Sequence, residues 1–486
     1  MTAEVIRPDQ RTLAGRLRDN LLSTSAAQIC ERVVSATSAV YLARTLGPAG
    51  LGVLGFAAAI AGYASLIASA GLEVHGARLV ARGQNEIGRY VGSVIALRSC
   101  LALATLSLVV VGIHFADQPQ VVKTTVIIAA SVICAQPFTL DWVFQGLERM
   151  EVIAVRNIAT QILNLVGVLI LVRSPSRIAV AAIPPVFAAA VNAVWMLGAV
   201  KRILPIHVSV NISEWMGMLR LASPILLSTL LFQCYQQFDV FWVYTTRTDT
   251  EAGLYAAAWR LSMTLAAVQT LVNQSVYPVL CRLCKSGSDD LTSFLTDATY
   301  LMSRVSLLVC GAVILTAPWL VPFIYGQRFL ETGKLLQVLA ISQILVFNES
   351  ITAPFLYASG ESRRYLIAVG WGAAVNVVPD LFLIPKFGPW AASWVMVATE
   401  IVVFSLMLLH SRRIVAFRTR QMLVLPFAIG LGSLYVLTAG HRYIPALCGG
   451  VVLGAFLLTS IPSMREAIRR ISLLGTDRQL STDPRA

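Results

Sequence analysis

Apolar runs of about 20 residues, the length that crosses a bilayer core as a helix, recur from one end of this chain to the other. Fourteen such runs lie near 21–43, 51–70, 91–113, 122–143, 153–172, 178–199, 219–243, 253–276, 297–317, 335–359, 364–384, 389–409, 421–439 and 443–461. Backbone polar groups in lipid must be satisfied within the protein, which leaves helices or a closed barrel. No run alternates apolar and polar residues, so a barrel is excluded. The expected fold is an all-α polytopic membrane protein with about 14 transmembrane helices. Composition agrees: 57% of residues are hydrophobic and 13% are charged, against roughly 25% charged in soluble domains. A cytosolic enzyme, a nucleic-acid reader and a disordered scaffold are excluded, and no hydrophilic insertion is long enough for an attached soluble domain.

The net charge is +13. With the N-terminus inside, most Lys and Arg residues fall in cytoplasmic segments: Arg7, Arg11, Arg16 and Arg18 at the start, Arg412, Arg413, Arg418 and Arg420 after span 12, and Arg465, Arg469 and Arg470 in the tail. This asymmetry places both termini in the cytoplasm. The polar, basic first twenty residues precede a full-length apolar run, which reads as a retained span and not a cleavable leader. Six of the eight cysteines lie inside apolar runs, where Cys acts as a small hydrophobe; Cys281 and Cys284 form one CxxC without a second pair.

An internal repeat runs through the pattern. Ala49-Gly50-Leu51 enters span 2 and Ala252-Gly253-Leu254 enters span 8. Pro137-Phe138 in span 4 precedes Gly146-Leu147-Glu148-Arg149, and Pro354-Phe355 in span 10 precedes Gly360-Glu361-Ser362-Arg363. Asn164 and Asn376 follow in spans 5 and 11. The common order predicts two six-helix halves in the same orientation plus two further helices, an architecture in which transporters hold substrate between the halves. The expected divisions are a cytoplasmic N-terminal segment (1–20), an N-lobe (21–200), a cytoplasmic linker (201–218), a C-lobe (219–410), helices 13 and 14 (421–461) and a cytoplasmic tail (462–486).

Charged and amide groups inside apolar runs carry the functional signal, because a charge at mid-bilayer costs roughly 2.5–3.5 kcal/mol on insertion scales. Span 1 holds Gln28, Glu31 and Arg32, with Gln28 and Arg32 on one helical face. Arg32 there either meets an anionic group in a cavity or neutralises a partner in the bundle. Span 7 holds Gln233, Gln236, Gln237 and Asp239; three amides and a carboxylate are suited to sugar hydroxyls and are expected to line a cavity. Span 8 holds Arg260, Gln269 and Asn273. A guanidinium binds phosphate bidentately and keeps its charge, so Arg260 is expected to contact an anion, with pairing to Asp239 as the alternative. Arg98 and Arg304, nearer the cytoplasmic ends of their spans, are expected to snorkel. Asp141 is expected at a solvated helix end. Glu349, Asp380 and Glu400 are candidates for proton or cation coupling, or counter-ions to arginines. Prolines 137, 184, 224, 354 and 379 permit kinks.

No GxxxxGK[ST] loop, HExxH pair or GxSxG elbow occurs, and the five histidines are scattered. The chain is therefore expected to be a transporter, with no catalytic residue, cofactor or metal. Two other functions share some of these features. A multidrug or cation antiporter would favour carboxylates over arginines in its cavity, and a membrane glycosyltransferase or ligase would need a sizeable outer loop.

The segment Ala43-Arg44-Thr45-Leu46-Gly47-Pro48-Ala49-Gly50-Leu51-Gly52 resembles the entry motif of the Wzx-like oligosaccharide flippases, polysaccharide biosynthesis proteins of the MATE-like MOP superfamily. Phe144-Gln145-Gly146-Leu147-Glu148 fits the same pattern, as does Asp239 followed by Gly253-Leu254-Tyr255-Ala256-Ala257-Ala258-Trp259-Arg260. Ala358-Ser359-Gly360, Asn376 and Lys386-Phe387-Gly388-Pro389-Trp390 continue it, over about residues 15 to 460. The resemblance implies two MATE-like six-helix lobes around a central cavity, with two C-terminal helices. It implies transfer of undecaprenyl-diphosphate-linked oligosaccharide across the bacterial inner membrane, with polysaccharide polymerase and chain-length proteins as further partners and no nucleic acid. Arg32 and Arg260 occupy the two spans from which related lipid II flippases present arginines to the diphosphate. Glu31 stands loosely where MATE antiporters place their helix-1 acidic residue, as a further ion-coupling candidate.

Overall fold

The computed structural model describes residues 13–81, 87–286, 289–417, 464–467 and 469 of the 486. Among the described residues the chain is helical, with no strand. The order is α1 (Leu13–Ser69), α2 (Glu73–Ala81), α3 (Ile87–Phe115), α4 (Gln120–Ala130), α5 (Asp141–Gly146), α6 (Met150–Leu171), α7 (Ile183–Lys201), α8 (Ile212–Thr246), α9 (Asp249–Ser286), α10 (Asp289–Tyr325), α11 (Leu330–Ala358), α12 (Ser362–Phe387) and α13 (Pro389–Ile414). Among the described residues, nine helical segments are long and apolar enough to cross a membrane, judged by length and composition. The chain is a multi-pass membrane protein. The predicted helices 13 and 14, over 421–461, lie outside the described residues, as do the segment 1–12 and residues 470–486.

Two predicted spans meet in α1, which breaks at Gly47 (φ 71°, ψ −176°). That conformation suits a residue without Cβ, and Pro48 then starts the second half, where its missing N–H is no loss. In the fourth predicted span, Pro137 sits in a 3₁₀ segment, Ser131–Phe138, between α4 and α5. Pro184 lies in the first turn of α7, where it starts the helix and does not kink it.

The described residues fall into two compact units: Met1–Thr45 with Ile60–Leu227, and Leu46–Ala59 with Ser228–Ala486. Residues 46–59 thus group with the second unit, although the chain on both sides of them belongs to the first.

In the first unit, Val91, Val94, Leu97, Leu140, Trp142, Phe144 and Met196 form the core. The short helices α2 and α5 cross here because Gly76 leaves room for the Trp142 ring, which is 1% exposed. A Cβ at position 76 would lie 2.6 Å from Trp142 Cε3. Gly76→Ala is therefore expected to lower stability by about 1–3 kcal/mol through overpacking, read as a lower Tm in detergent. An unchanged Tm would show that the ring has room to move.

In the second unit, α11 runs through the middle, packed by α9, α10 and α13. Some of its polar residues are paired, whereas both Gln343 amide atoms and the Thr352 hydroxyl have no partner among the described residues. Ser303 Oγ donates to Asn348 Oδ1 at 2.7 Å, Asn348 Nδ2 donates to the Ile344 carbonyl at 2.8 Å, and Gln337 Nε2 donates to the Ile314 carbonyl at 2.6 Å. In lipid, such small hydroxyls and amides act as interhelical glue.

Candidate functional site

In the first half of α1, a run of helix with no internal proline carries Gln28, Glu31 and Arg32. The Gln28 side chain lies outside the described residues. Glu31 is half-buried and Arg32 is exposed. Among the described residues, neither makes an ion pair.

In α8, Gln233, Gln236 and Gln237 are half-buried. Gln236 Oε1 is buried without a partner among the described residues. In α9, Arg260 is exposed and has no ion pair among the described residues; it lies close to Tyr325 in α10. Gln269 and Asn273 are half-buried, and Asn273 Oδ1 has no partner among the described residues. Arg260 and Asp239 do not pair.

Asp239 points elsewhere. It is 2% exposed, and its Oδ2 accepts from the Tyr255 hydroxyl of α9 at 2.7 Å. Asp380 and Asn376 of α12, both 0% exposed, lie beside it at hydrogen-bonding range. Yet no bond of normal geometry closes among these three, and Asp239 Oδ1, both Asp380 oxygens and both Asn376 amide atoms are left without partners. Burial excludes the water that would otherwise serve these groups: the carboxyl oxygens and Asn376 Oδ1 lack donors, and Asn376 Nδ2 lacks an acceptor. Asn376 and Asp380 are one turn apart on α12, so their common face was legible in the sequence. The approach of α8 to that face was not.

Glu349 of α11 and Glu400 of α13 form a second buried carboxyl pair at hydrogen-bonding range, with Tyr365 of α12 nearby. The coupling candidates therefore separate: Asp380 joins Asp239, Glu349 joins Glu400, and Glu31 belongs to the other unit. Among the described residues, no group of three or more His, Cys, Asp or Glu side chains could hold a metal ion. Cys281 and Cys284 are free thiols on α9.

Two expectations about charge are corrected in the first unit. Arg98 does not snorkel: its side chain is 0% exposed, and Nη2 donates to Glu73 Oε1 of α2 at 2.6 Å. Asp141, expected at a solvated end, pairs with Arg156 of α6 at 3.0 Å, and it feels the charges of Glu73 and Arg98 as well. The short helices α2 and α5 bring carboxylates to arginines that the lipid would otherwise force outward. Arg304 lies over the Tyr300 ring at 5.0 Å.

Comparison with known proteins follows the same line. Residues 17–284 match the polysaccharide biosynthesis protein family. A Shigella dysenteriae protein described as "Putative O-antigen transporter" is 24% identical over 357 residues, covering 71% of this chain and 87% of that protein. Among solved structures, the lipid II flippase MurJ in an inward closed conformation superposes with a TM-score of 0.74 at 15% identity, covering 92% of this chain and 99% of the other. An inward-facing multidrug resistance MATE family transporter of the MOP superfamily gives 0.63 at 14% identity, covering 81% and 97%. At these identities the solved structures speak for the fold alone, which is MurJ- and MATE-like. These relatives are transporters and flippases, not enzymes. With its match running over more than half its length, the chain belongs to the polysaccharide biosynthesis protein family.

Proposed function

We propose that this protein flips undecaprenyl-diphosphate-linked oligosaccharide repeat units from the cytoplasmic to the periplasmic leaflet of the inner membrane, by alternating access, for a surface polysaccharide. The observations that carry this reading are two guanidinium groups, Arg32 in the first unit and Arg260 in the second, each exposed and in no ion pair among the described residues. A guanidinium fork binds phosphate oxygens bidentately and keeps its charge, which suits a diphosphate-bearing lipid. Gln28, Gln233, Gln236, Gln237, Gln269 and Asn273 replace water around the sugars. The O-antigen transporter description of the Shigella relative and the lipid II flippase fold support the same substrate class. Both termini face the cytoplasm, helices 13 and 14 complete fourteen spans, and the polymerase and chain-length proteins of the pathway act beside it.

The test is to delete the gene in its host and identify the lipid-linked oligosaccharide that collects on the cytoplasmic side. Accumulation of such a lipid, reversed by the intact gene, is expected. Normal distribution across the two leaflets, with new sensitivity to cationic dyes, would point to a multidrug antiporter.

The cluster of Asp239, Asp380 and Asn376 is proposed as the place where a proton or monovalent cation couples to transport. Asp380→Asn removes one acid and leaves the shape. It is expected to make flipping in vesicles insensitive to imposed sodium and proton gradients, while basal exchange persists. Full gradient dependence in Asp380→Asn would remove the cluster from the coupling step.

A further inference from the structure

Among the membrane-spanning segments, α6 is the least covered by the rest of the protein. Of its most apolar stretch 6% is buried, against 33–100% in the others. Ile162, Val166, Leu169 and Ile170 are 43–55% exposed, and their spacing puts them on one side of the helix. A bare apolar side on a membrane-spanning helix meets acyl chains.

Where that side ends, two arginines converge. Arg173 Nε donates to the Ile170 carbonyl and Arg177 Nη1 donates to the Leu171 carbonyl, each at 3.1 Å. These are neighbouring carbonyls in the last turn of α6, so both guanidinium groups are gathered at one helix end. In the chain between them, the Ser174 and Ser176 hydroxyls lie 3.0 Å apart. The Tyr41 hydroxyl donates to the next carbonyl, that of Val172, at 2.9 Å. That bond brings the turn of α1 that carries exposed Arg44 to the same end.

Capping explains why the arginines are held, because a helix C-terminus favours cations. It does not use up their chemistry. Each guanidinium spends one N–H on a carbonyl, and among the described residues neither arginine pairs with a carboxylate. Like charges gathered in this way attract an anion. In the topology proposed above, this end of α6 faces the periplasm, where Lys and Arg are otherwise scarce. The anion must also suit what lies beneath it, a strip of apolar side chains that faces lipid.

We propose that Arg173 and Arg177, with the Ser174 and Ser176 hydroxyls, bind the phosphate of an anionic phospholipid whose acyl chains lie along Ile162, Val166, Leu169 and Ile170. A guanidinium fork suits phosphate oxygens, and basic groups at the lipid boundary recognise anionic head groups. One amphiphile fits both halves of the site, whereas a free phosphate fits the arginines alone. The bilayer itself supplies such a lipid at this depth. The site is separate from the arginines assigned to the transported substrate, and it stands whether or not the transport reading holds.

The test uses the full chain in detergent, with bound lipids counted by native mass spectrometry. Phosphatidylglycerol and phosphatidylcholine are titrated separately. Wild-type protein is expected to take a phosphatidylglycerol at least tenfold more tightly than a phosphatidylcholine. Arg173→Gln with Arg177→Gln is expected to abolish that preference. Because this variant also uncaps α6, Ser174→Asp with Ser176→Asp is measured beside it; both arginine caps stay, and the added negative charge is expected to abolish the preference with Tm unchanged. Undecaprenyl diphosphate and inorganic phosphate, each added at the concentration of the phosphatidylglycerol, are expected to leave it bound. Three results overturn the proposal: no preference in the wild type, a preference retained in either variant, or displacement of the phosphatidylglycerol by undecaprenyl diphosphate or by phosphate.

Discussion

Replacing Arg32 and Arg260 together by alanine is expected to lower flipping of the lipid-linked oligosaccharide more than 100-fold, with protein level and Tm unchanged. Hydrogen bonds to charged groups contribute about 1.5–3 kcal/mol each, and every 1.4 kcal/mol is about tenfold in an equilibrium. Two such contacts therefore account for at least two orders of magnitude, even when their effects do not add fully. Stability is spared because both side chains are exposed and neither is tied to a described carboxylate. Lysine at both positions separates charge from shape: it keeps the positive charge but loses the planar fork, so flipping should recover partly and not wholly. The measurement is flipping in vesicles at matched protein content. Wild-type rates in the double alanine variant would remove the diphosphate contact from these residues, and full rescue by lysine would reduce their role to bulk electrostatics.

The second large effect concerns stability. Glu73→Ala is expected to destabilise the first unit by about 3 kcal/mol. Arg98 is fully buried, and Glu73 is the partner it bonds. Removing one partner of a buried pair leaves a bare charge, which costs about 3–5 kcal/mol. The lower end applies because the Glu73 side chain is 47% exposed and water reaches that side of the pair. Removing the charge from both partners should behave differently. In Glu73→Gln with Arg98→Met no ion is stranded, and most of the loss should be regained. Thermal unfolding in detergent, followed for the single and double variants, checks this. Equal losses in Glu73→Ala and the double variant would mean that the pair contributes through packing and not through charge.

The contrast between Arg98 and the two candidate substrate arginines shows how far a sequence reading reaches. All three sit in apolar runs, and periodicity gives no way to tell them apart. Arg98 was expected to reach water at the membrane surface; instead the nine-residue helix α2 carries Glu73 to it. The meeting of α2 and α5 depends on Gly76 and Gly146 admitting close packing, and nothing in the local sequence says which helices will meet. Asp239 gives the same lesson. Its place in a stretch rich in glutamine pointed to a sugar-lining role beside its neighbours, but the aspartate is buried while the glutamines are half-buried. Asp239 turns to Tyr255 and to the Asn376–Asp380 face of α12.

Local chemistry was enough for several features. The length and number of apolar runs required membrane-spanning helices, because an unsatisfied backbone in lipid has no cheaper solution. The expected span bounds near 43 and 51 bracketed the break that the structure places at Gly47, where a positive φ suits a residue without Cβ and the following Pro48 needs no N–H. The repeated Ala-Gly-Leu turns were visible as well. Only the tertiary structure decided that these two turns lie against each other, that buried carboxyls pair across α8 and α12 and across α11 and α13, and that Arg98 stays inside. Those outcomes depend on which helices become neighbours. That choice is made by the packing of whole faces summed over many weak contacts, and no single position along the chain records it.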